Sequence, residues 1–366
     1  MNFMSWWLYK SCKKFYFDCL SILEIMLKNF SFLFIFVLLL MSCQKKTTPI
    51  STINNPANNF SKGADVSWVT EMESAGVKFY SAAGKEMECM ALLKSLGMNT
   101  IRLRVWVNPS PLWNDVSDVV VKALRAKQLG MRILIDFHYS DSWADPGKQN
   151  KPAAWESLNF DELKLALANH TKTTLATLKQ NGITPEWVQV GNETNDGMLW
   201  PDGRASTSMN NFTQLINVGY DAVKEIFPSS KVIVHISNGW DKNLFQWMFA
   251  GLKTNEAKFD VIGMSLYSTA SNWASYNQQC FQNMNDMVSL YNKEVFIVEV
   301  GMPSNNATEC NSFLTDLIHK TKQVTLGKGL GVLYWEPQSY NGWKGYELGA
   351  FDITGKPTNA LLAFLK

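Results

Sequence analysis

Two glutamates stand at the polar ends of short apolar segments, where their spacing suits acid chemistry. Glu193 closes the segment PEWVQVGNE (185–193), and Glu299 lies near the end of EVFIVEVG (294–301). Two carboxyl groups that face each other across a cleft are the groups that cleave a glycosidic bond. One protonates the leaving oxygen, and the other attacks the anomeric carbon or activates water. We therefore ask which fold would bring these two segment ends together.

The elements that must position these acids alternate regularly along the chain. Strands are predicted at 62–68, 99–107, 131–138, 185–193, 231–237, 259–267, 294–301 and 330–337. Helices are predicted at 86–97, 116–130, 159–182, 210–228, 243–253, 276–292, 311–324 and 359–366. The strands are apolar throughout, which indicates a parallel sheet buried on both faces. Eight strand–helix units predict an α/β fold, a (β/α)₈ TIM barrel forming one domain over 61–366. The alternative is an open doubly wound sheet, but no glycine-rich phosphate-binding motif follows a strand.

In such a barrel, the side chains at the carboxyl ends of the strands line the active site. Beyond the two glutamates, seven residues at those ends are candidates: Asp65, Arg104, Asp136, His138, Asn192, Tyr267 and Trp335. Glu336, which follows Trp335, is expected to be structural, and we assign no role to His235.

Several segments together resemble one family of enzymes. GADVSWV, IRLRVWVNP, DFHYSDSWADPGKQ, VQVGNETNDGMLWP and YWEP resemble glycoside hydrolase family 53, the endo-β-1,4-galactanases of clan A. The resemblance spans about residues 60–358. One departure is Glu299-Val-Gly-Met302-Pro, where the family usually has Glu-Thr-small-Tyr-Pro. Met302 in place of the tyrosine leaves the adjoining substrate contacts open, more than the acid chemistry.

The resemblance implies that Glu193 is the acid/base and Glu299 the nucleophile. Arg104 is expected to hold Glu299 ionised, because a nearby cation lowers the pKa of a carboxyl group. Burial and the opposing negative charge are expected to keep Glu193 protonated. The remaining candidates are expected to support these two: Asn192 at the sugar 2-hydroxyl, Tyr267 bonded to Glu299, Trp335 as the floor of the cleaved-sugar subsite, His138 in a hydrogen-bond network, and Asp65 and Asp136 either at sugar hydroxyls or holding arginines.

The resemblance further implies a retaining endo-hydrolase that cuts β-1,4-galactan in pectic type I arabinogalactan and releases galacto-oligosaccharides. One alternative is another clan A β-glycanase, such as a mannanase or a cellulase. A second is a non-catalytic surface protein that binds galactan, which would not need both glutamates. Neither a cofactor nor a catalytic metal is implied, and the segment SNNATEC (304–310) lacks the acidic cluster that would predict calcium there.

The first 60 residues are typical of an export leader. The apolar run Phe30–Met41 is too short for a comfortable membrane span, follows Lys28, and leads into LMSC, which resembles a bacterial lipobox. We predict a signal region at 1–43 with Met26 as the true start and Cys43 as the lipidated residue. An ordinary cleaved signal or an anchor helix is the alternative. Residues 44–60, rich in Thr, Asn and Pro, predict a flexible tether. The protein is thus expected to be exported and lipid-anchored to a bacterial outer membrane or cell surface.

The balance of charged residues indicates which classes of partner the protein can bind. The chain has 34 Lys and Arg against 32 Asp and Glu, without a basic stripe, so we expect no nucleic-acid partner. We expect a monomer that binds polysaccharide as its substrate and contacts a membrane only through its anchor.

The cysteines predict one disulfide. Export permits a disulfide, and the positions of Cys280 and Cys310 on neighbouring barrel units predict that these two residues form it. Cys89 is expected to be a buried thiol.

Overall fold

The computed structural model describes residues 60–366; the predicted signal region, Met26, Cys43 and all but the last residue of the tether lie outside that part. The described chain forms a closed barrel of eight parallel strands, which are β1 Ser61–Asp65, β4 Thr100–Val105, β5 Arg132–Phe137, β6 Trp187–Val190, β7 Lys231–Ile236, β8 Val261–Tyr267, β9 Glu294–Gly301 and β10 Gly329–Trp335. Their order around the barrel is β1-β10-β9-β8-β7-β6-β5-β4. The barrel closes because β1 pairs with both β10 and β4. The predicted (β/α)₈ barrel is confirmed, and the open sheet is excluded.

Helices surround the barrel, and several of them begin at a residue whose side chain caps the first turn. They are α1 Val69–Ser74, α2 Cys89–Ser95, α3 Val116–Gln128, α4 Phe160–Gln180, α5 Met209–Ile226, α6 Lys242–Thr254, α7 Trp273–Tyr291 and α8 Ala307–Lys322. Asn159 and Glu162 form a capping box at the start of α4, and Ser208 caps α5. Such side chains satisfy amide N–H groups that have no partner within the helix.

The interior of the barrel is apolar at its lower end and polar at its mouth. A separate apolar cluster fills the lower interior: Leu134, Trp187, Ile233, Val261, Phe296, Val298 and Leu333. Side chains two residues apart on a strand share a face. Asp136, Gln189 and His235 therefore lie one layer above Leu134, Trp187 and Ile233, and all three are buried. This layering places polar groups where the strands end.

Two local predictions differ from the structure, and one helix was not predicted. The sequence predicted one helix at 86–97, whereas the chain forms a hairpin of β2 Phe79–Tyr80 and β3 Glu86–Met87, and α2 begins only at Cys89. The short helix α1 was not predicted. The final segment is a 3₁₀-helix, Asn359–Leu365.

The predicted Cys280–Cys310 disulfide is wrong, because both thiols are free and buried. Cys280 packs on Gly239, where an added Cβ would lie 3.0 Å from its sulfur. The Cys310 Sγ lies 3.8 Å from the Tyr334 hydroxyl. The two helices thus direct their cysteines to different places, one at the turn after β7 and the other at β10. Cys89 is also a buried thiol. Over residues 60–366, no helix is apolar and long enough to cross a bilayer, and no group of acidic, His or Cys side chains is arranged to hold a metal ion.

Candidate active site

The segment after β6 turns sharply and directs two polar side chains into the barrel mouth. The strand ends at Val190, and Gly191 and Glu193 adopt left-handed conformations with φ of +83° and +43°. A Cβ at Gly191 would lie 2.6 Å from the Thr194 Cγ2, so glycine is required there. The turn leaves Glu193 half-buried beside its buried neighbour Asn192.

Glu299 lies almost fully buried on β9, where it forms one ion pair and accepts one hydrogen bond. Its Oε1 lies 2.8 Å from the Arg102 Nη2, and its Oε2 accepts the Tyr267 hydroxyl at 2.9 Å. In the β8–β9 ladder, Ser265 pairs with Glu299 and Tyr267 with Gly301. Both donors stabilise the ionised carboxylate.

Arg102 is the cation at the centre of this mouth. Its guanidinium lies 2.7 Å from Asp65, 2.8 Å from Asp136 and 2.8 Å from Glu299. It also donates to the Asn192 Oδ1 at 2.8 Å. Burial alone would lower the pKa of Arg102, but the charges of Asp136, Glu299 and Asp65 outweigh burial and raise it. Asp65 and Asp136 thus hold an arginine, which was one of the two roles expected for them.

The prediction that Arg104 would hold Glu299 is wrong. Its Nη1 binds Glu336 Oε1 at 2.5 Å, and its guanidinium lies 4.4–6.0 Å from four indole rings, those of Trp68, Trp106, Trp143 and Trp335. Arg102 and Arg104 share one strand face, but only the lower one reaches the nucleophile candidate. Glu336 is fully buried and also accepts the Trp68 amide N–H at 3.1 Å. This pair therefore braces the aromatic wall of the mouth.

Asn192 and His138 occupy the network that surrounds Arg102. The Asn192 Nδ2 donates to the Ala144 carbonyl at 2.8 Å, which leaves its second N–H for a ligand. The His138 Nε2 lies 3.0 Å from Asp136 Oδ2, and its Nδ1 accepts the Ala144 amide N–H at 3.1 Å.

Glu193 has a different setting from Glu299, although both are acids at strand ends. Its Oε1 accepts the Ser265 hydroxyl at 2.6 Å. Burial raises the pKa of both carboxyl groups, and the charge of Glu193 further raises that of Glu299, so the pair disfavours two negative charges. We place the single charge on Glu299, because only that carboxylate lies against a guanidinium, at 2.8 Å.

The comparisons with known proteins agree with this geometry. The sequence profile of glycosyl hydrolase family 53 matches residues 61–364. An arabinogalactan endo-beta-1,4-galactanase from Thermothelomyces thermophilus is 33% identical over 297 residues, which cover 75% of this chain and 89% of that protein.

The chain belongs to glycosyl hydrolase family 53. It is therefore a glycoside hydrolase. A structure from a study of two fungal beta-1,4-galactanases matches with a TM-score of 0.77 at 30% identity, over 84% of this chain and 99% of that one. The family 53 catalytic domain of Ignisphaera aggregans matches with a TM-score of 0.76 at 29% identity, over 84% and 95% of the two chains. Xylanases at 12–16% identity share only the fold.

The family 53 barrel carries an aromatic cavity beside the carboxyl pair. This cavity of about 310 Å³ is lined by Trp68, Trp143, Trp335, Lys344, Gly345 and Tyr346. Trp335 meets Trp68 at a centroid distance of 5.1 Å and Tyr346 at 4.8 Å, both edge to face. Fixed ring edges and faces of this kind suit the apolar faces of sugars. Met302, which stands where the family usually has Tyr, is fully buried.

The sequence did not predict that four further residues belong to the hydrogen-bond network of the site: Arg102, Gln189, His235 and Ser265. The Gln189 Nε2 donates to the Asp136 Oδ1 at 2.6 Å, and the Gln189 Oε1 accepts a hydrogen bond from the Arg102 Nη2 at 3.2 Å. A usable signal was the period of two along each strand. Arg102 precedes Arg104 by two residues, and Ser265 precedes Tyr267 by two, so each shares a face with a residue that was chosen.

Proposed function

We propose that this protein is a retaining endo-β-1,4-galactanase that cuts the galactan of pectic type I arabinogalactan. The observation that carries the proposal is the unequal bonding of two carboxyl groups at one barrel mouth. Glu299 binds Arg102 and Tyr267, whereas Glu193 binds a neutral serine. The named family relatives support the substrate. Another clan A β-glycanase activity and a non-catalytic galactan-binding role remain the rival functions.

In the first step, the Glu299 carboxylate attacks the anomeric carbon while Glu193 protonates the departing glycosidic oxygen. The bond electrons leave with that oxygen, and a glycosyl ester forms on Glu299. Tyr267 and Arg102 keep Glu299 ionised before attack. The free N–H of Asn192 would donate to the sugar 2-hydroxyl, a contact that strengthens in the transition state.

In the second step, Glu193 acts as a base. It takes a proton from water, the water oxygen bonds to the anomeric carbon, and the ester bond to Glu299 breaks. Two inversions give net retention. Asp65, Asp136 and His138 hold Arg102 and Asn192 in place, and Trp335 forms the floor under the sugar.

Two alanine variants test the roles separately, with azide as an external nucleophile. In Glu193→Ala, an activated aryl galactobioside needs little protonation, so the intermediate should accumulate and azide should rescue turnover as the β-glycosyl azide. Glu299→Ala should lose activity on all substrates, and azide should give the α-anomer or nothing. Glu86→Ala, which changes an exposed glutamate paired with Lys78, is the control. Exchanged patterns would reverse the assignment, and initial release of the α-anomer by the wild type would refute retention.

Substrate choice separates the rival functions. We expect hydrolysis of potato or lupin galactan and little action on carboxymethyl cellulose or mannan. Preferred cleavage of either of the latter would make the protein a different clan A β-glycanase. Binding of galactan without any cleavage would favour the surface-binding role.

For localisation, we propose export and lipid anchoring through Cys43, as a monomer without nucleic-acid partners. The support is the LMSC segment after the apolar run. Cys43→Ala should remain unlipidated and leave the membrane fraction. Unchanged detergent partitioning of that variant would refute the anchor, and sedimentation of the released domain would reveal any dimer.

A further inference from the structure

A directed chain of hydrogen bonds runs from the barrel interior to Glu193. The His235 Nε2 lies 2.8 Å from the Ser265 Oγ, and the Ser265 hydroxyl lies 2.6 Å from Glu193 Oε1. His235 and Ser265 are both fully buried. Neither has a part in the two-step chemistry described above.

The surroundings of His235 decide which ring nitrogen carries the proton. The amide N–H of Glu193 points at the His235 Nδ1 at 3.3 Å and has no other acceptor within residues 60–366. The Gln189 Nε2 approaches the same nitrogen at 2.9 Å. The Asn192 Oδ1 also lies 3.0 Å away, but it already accepts from the Arg102 guanidinium at 2.8 Å. Nδ1 is therefore an acceptor, and the proton sits on Nε2.

With the proton on Nε2, every later bond in the chain has one direction. His235 donates to Ser265, so the serine hydrogen is free to point at Glu193 Oε1. Oε1 is then an acceptor in both ionisation states of Glu193. A proton on Oε1 would face the serine hydrogen and break the chain.

We propose that His235 and Ser265 are positioning residues that reserve Glu193 Oε1 as an acceptor and so place the catalytic proton on Oε2. The inference rests on the proposed acid/base role of Glu193. In the first step, the Oε2 proton passes to the leaving oxygen, and the Ser265 bond becomes charge-assisted. In the second step, Oε2 takes the proton from water. The proton therefore leaves from and returns to the same oxygen, and the carboxyl group does not need to rotate.

The titratable groups around Glu193 define the pH behaviour that follows. They are Arg102 on β4, Asp136 on β5, Asp145 after β5, Tyr267 on β8 and Glu299 on β9. Burial raises the pKa of Glu193, while the Ser265 hydrogen bond and Arg102 lower it. Burial, followed by the charges of Arg102 and His138, lowers the pKa of His235, so its ring stays neutral. Loss of the serine hydroxyl should therefore raise the pKa of Glu193.

The first experiment compares Ser265→Ala with Ser268→Ala. The Ser268 hydroxyl is also buried, but it has no hydrogen-bond partner in the described chain, so it is a matched control. A hydrogen bond to a charged group changes an ionisation constant by about ten- to a hundredfold. The basic limb of kcat/KM against pH should thus move up by about 1–2 pH units in Ser265→Ala alone. A fully active Ser265→Ala with an unmoved basic limb would overturn the proposal.

The second experiment reads the tautomer without any activity. The chain has four histidines, so long-range ¹H–¹⁵N spectra of the wild-type protein can assign His235. We expect a protonated Nε2 and a bare Nδ1 that do not titrate between pH 5 and 8. A protonated Nδ1 would refute the proposal. The proposed function would fail differently, through absence of azide rescue in Glu193→Ala, whatever the tautomer of His235.

His235→Gln and His235→Leu complete the test. Glutamine can offer an amide N–H toward Ser265, whereas leucine cannot. The leucine variant should reproduce the basic-limb shift of Ser265→Ala, and the glutamine variant should restore most of it. Equal shifts in both variants would mean that His235 acts only through packing, against the proposal. Melting temperatures of both variants show which share of any activity loss comes from unfolding.

Discussion

Replacing Arg102 should destabilise the protein most strongly at alkaline pH. In Arg102→Met, three acidic groups lose a cation that lies within 2.8 Å of each: Asp65, Asp136 and Glu299. The Arg102 side chain is fully buried, so water cannot take its place without cost. The apolar methionine fills much of the volume but supplies no hydrogen bond.

The magnitude follows from the burial of the cluster. Removing one partner of a buried ion pair costs about 3–5 kcal/mol, and three carboxyl groups share this partner, so we expect about 4–5 kcal/mol at pH 8. Burial raises the pKa of Glu299 and the charge of Arg102 opposes that rise, so without the cation the folded-state pKa of Glu299 rises further above its unfolded value near 4. The folded variant therefore binds more protons than the unfolded chain, and its stability falls as pH rises through the raised value. The loss should shrink to about 2 kcal/mol at pH 5, where Glu299 takes up a proton.

Urea unfolding, followed by tryptophan fluorescence at pH 5 and at pH 8, measures the loss in the free energy of unfolding at each pH. Lys258→Met is the matched control, because Lys258 pairs with Asp221 at an exposed site, where a salt bridge contributes less than about 1 kcal/mol. If Arg102→Met cost no more than the control at pH 8, the cluster would not depend on its cation. A larger loss at pH 5 than at pH 8 would contradict the charge argument itself.

Three further outcomes are expected. Tyr267→Phe removes the 2.9 Å bond to Glu299 and should lower kcat/KM about 10–150-fold; a change under threefold in steady-state assays would contradict this. Burial lowers the pKa of His170 from 6.5 to about 4, so its stability contribution is complete above pH 6.5 and is lost as pH falls to 4. His170→Phe should abolish this loss of about 3 kcal/mol in the pH dependence of unfolding. Cys280 and Cys310 should react with a maleimide only after unfolding, and a linked peptide in mass spectrometry would contradict their free state.

The barrel could be predicted because its cause is local and repeated. Each strand is largely apolar on both faces and is followed by a helical period, and that pattern has few solutions. The hairpin at Phe79–Tyr80 and Glu86–Met87 escaped prediction because strands of two residues carry no periodicity. The cysteine pairing failed for a related reason. Order along the chain placed Cys280 and Cys310 on neighbouring helices, but only tertiary packing determines which strand each sulfur faces.

The residues that lie at the site could be predicted, but the hydrogen bonds and ion pairs between them were predicted less well. Strand ends gave Glu193, Glu299, Asn192 and Tyr267 directly. Arg102 and Arg104 lie on the same face of β4 but in different layers of the barrel. Which of them contacts Glu299 therefore depends on the height of each side chain in the barrel. A sequence gives the face of a strand residue but not the height at which a neighbouring strand presents its own side chains. That height depends on the stagger between barrel strands.

The same layering explains why the barrel mouth can hold so much buried charge. Leu134, Trp187 and Ile233 form a dry floor within the barrel, and the polar groups two residues later on those strands stand directly above it. A floor that excludes water strengthens each hydrogen bond above it and makes each unpaired charge more costly. Asp136 therefore binds Arg102, Gln189 and His138 together. The apolar layer thus has two effects. It contributes to the burial that raises the pKa of both glutamates, and it strengthens the hydrogen-bond network that fixes their positions.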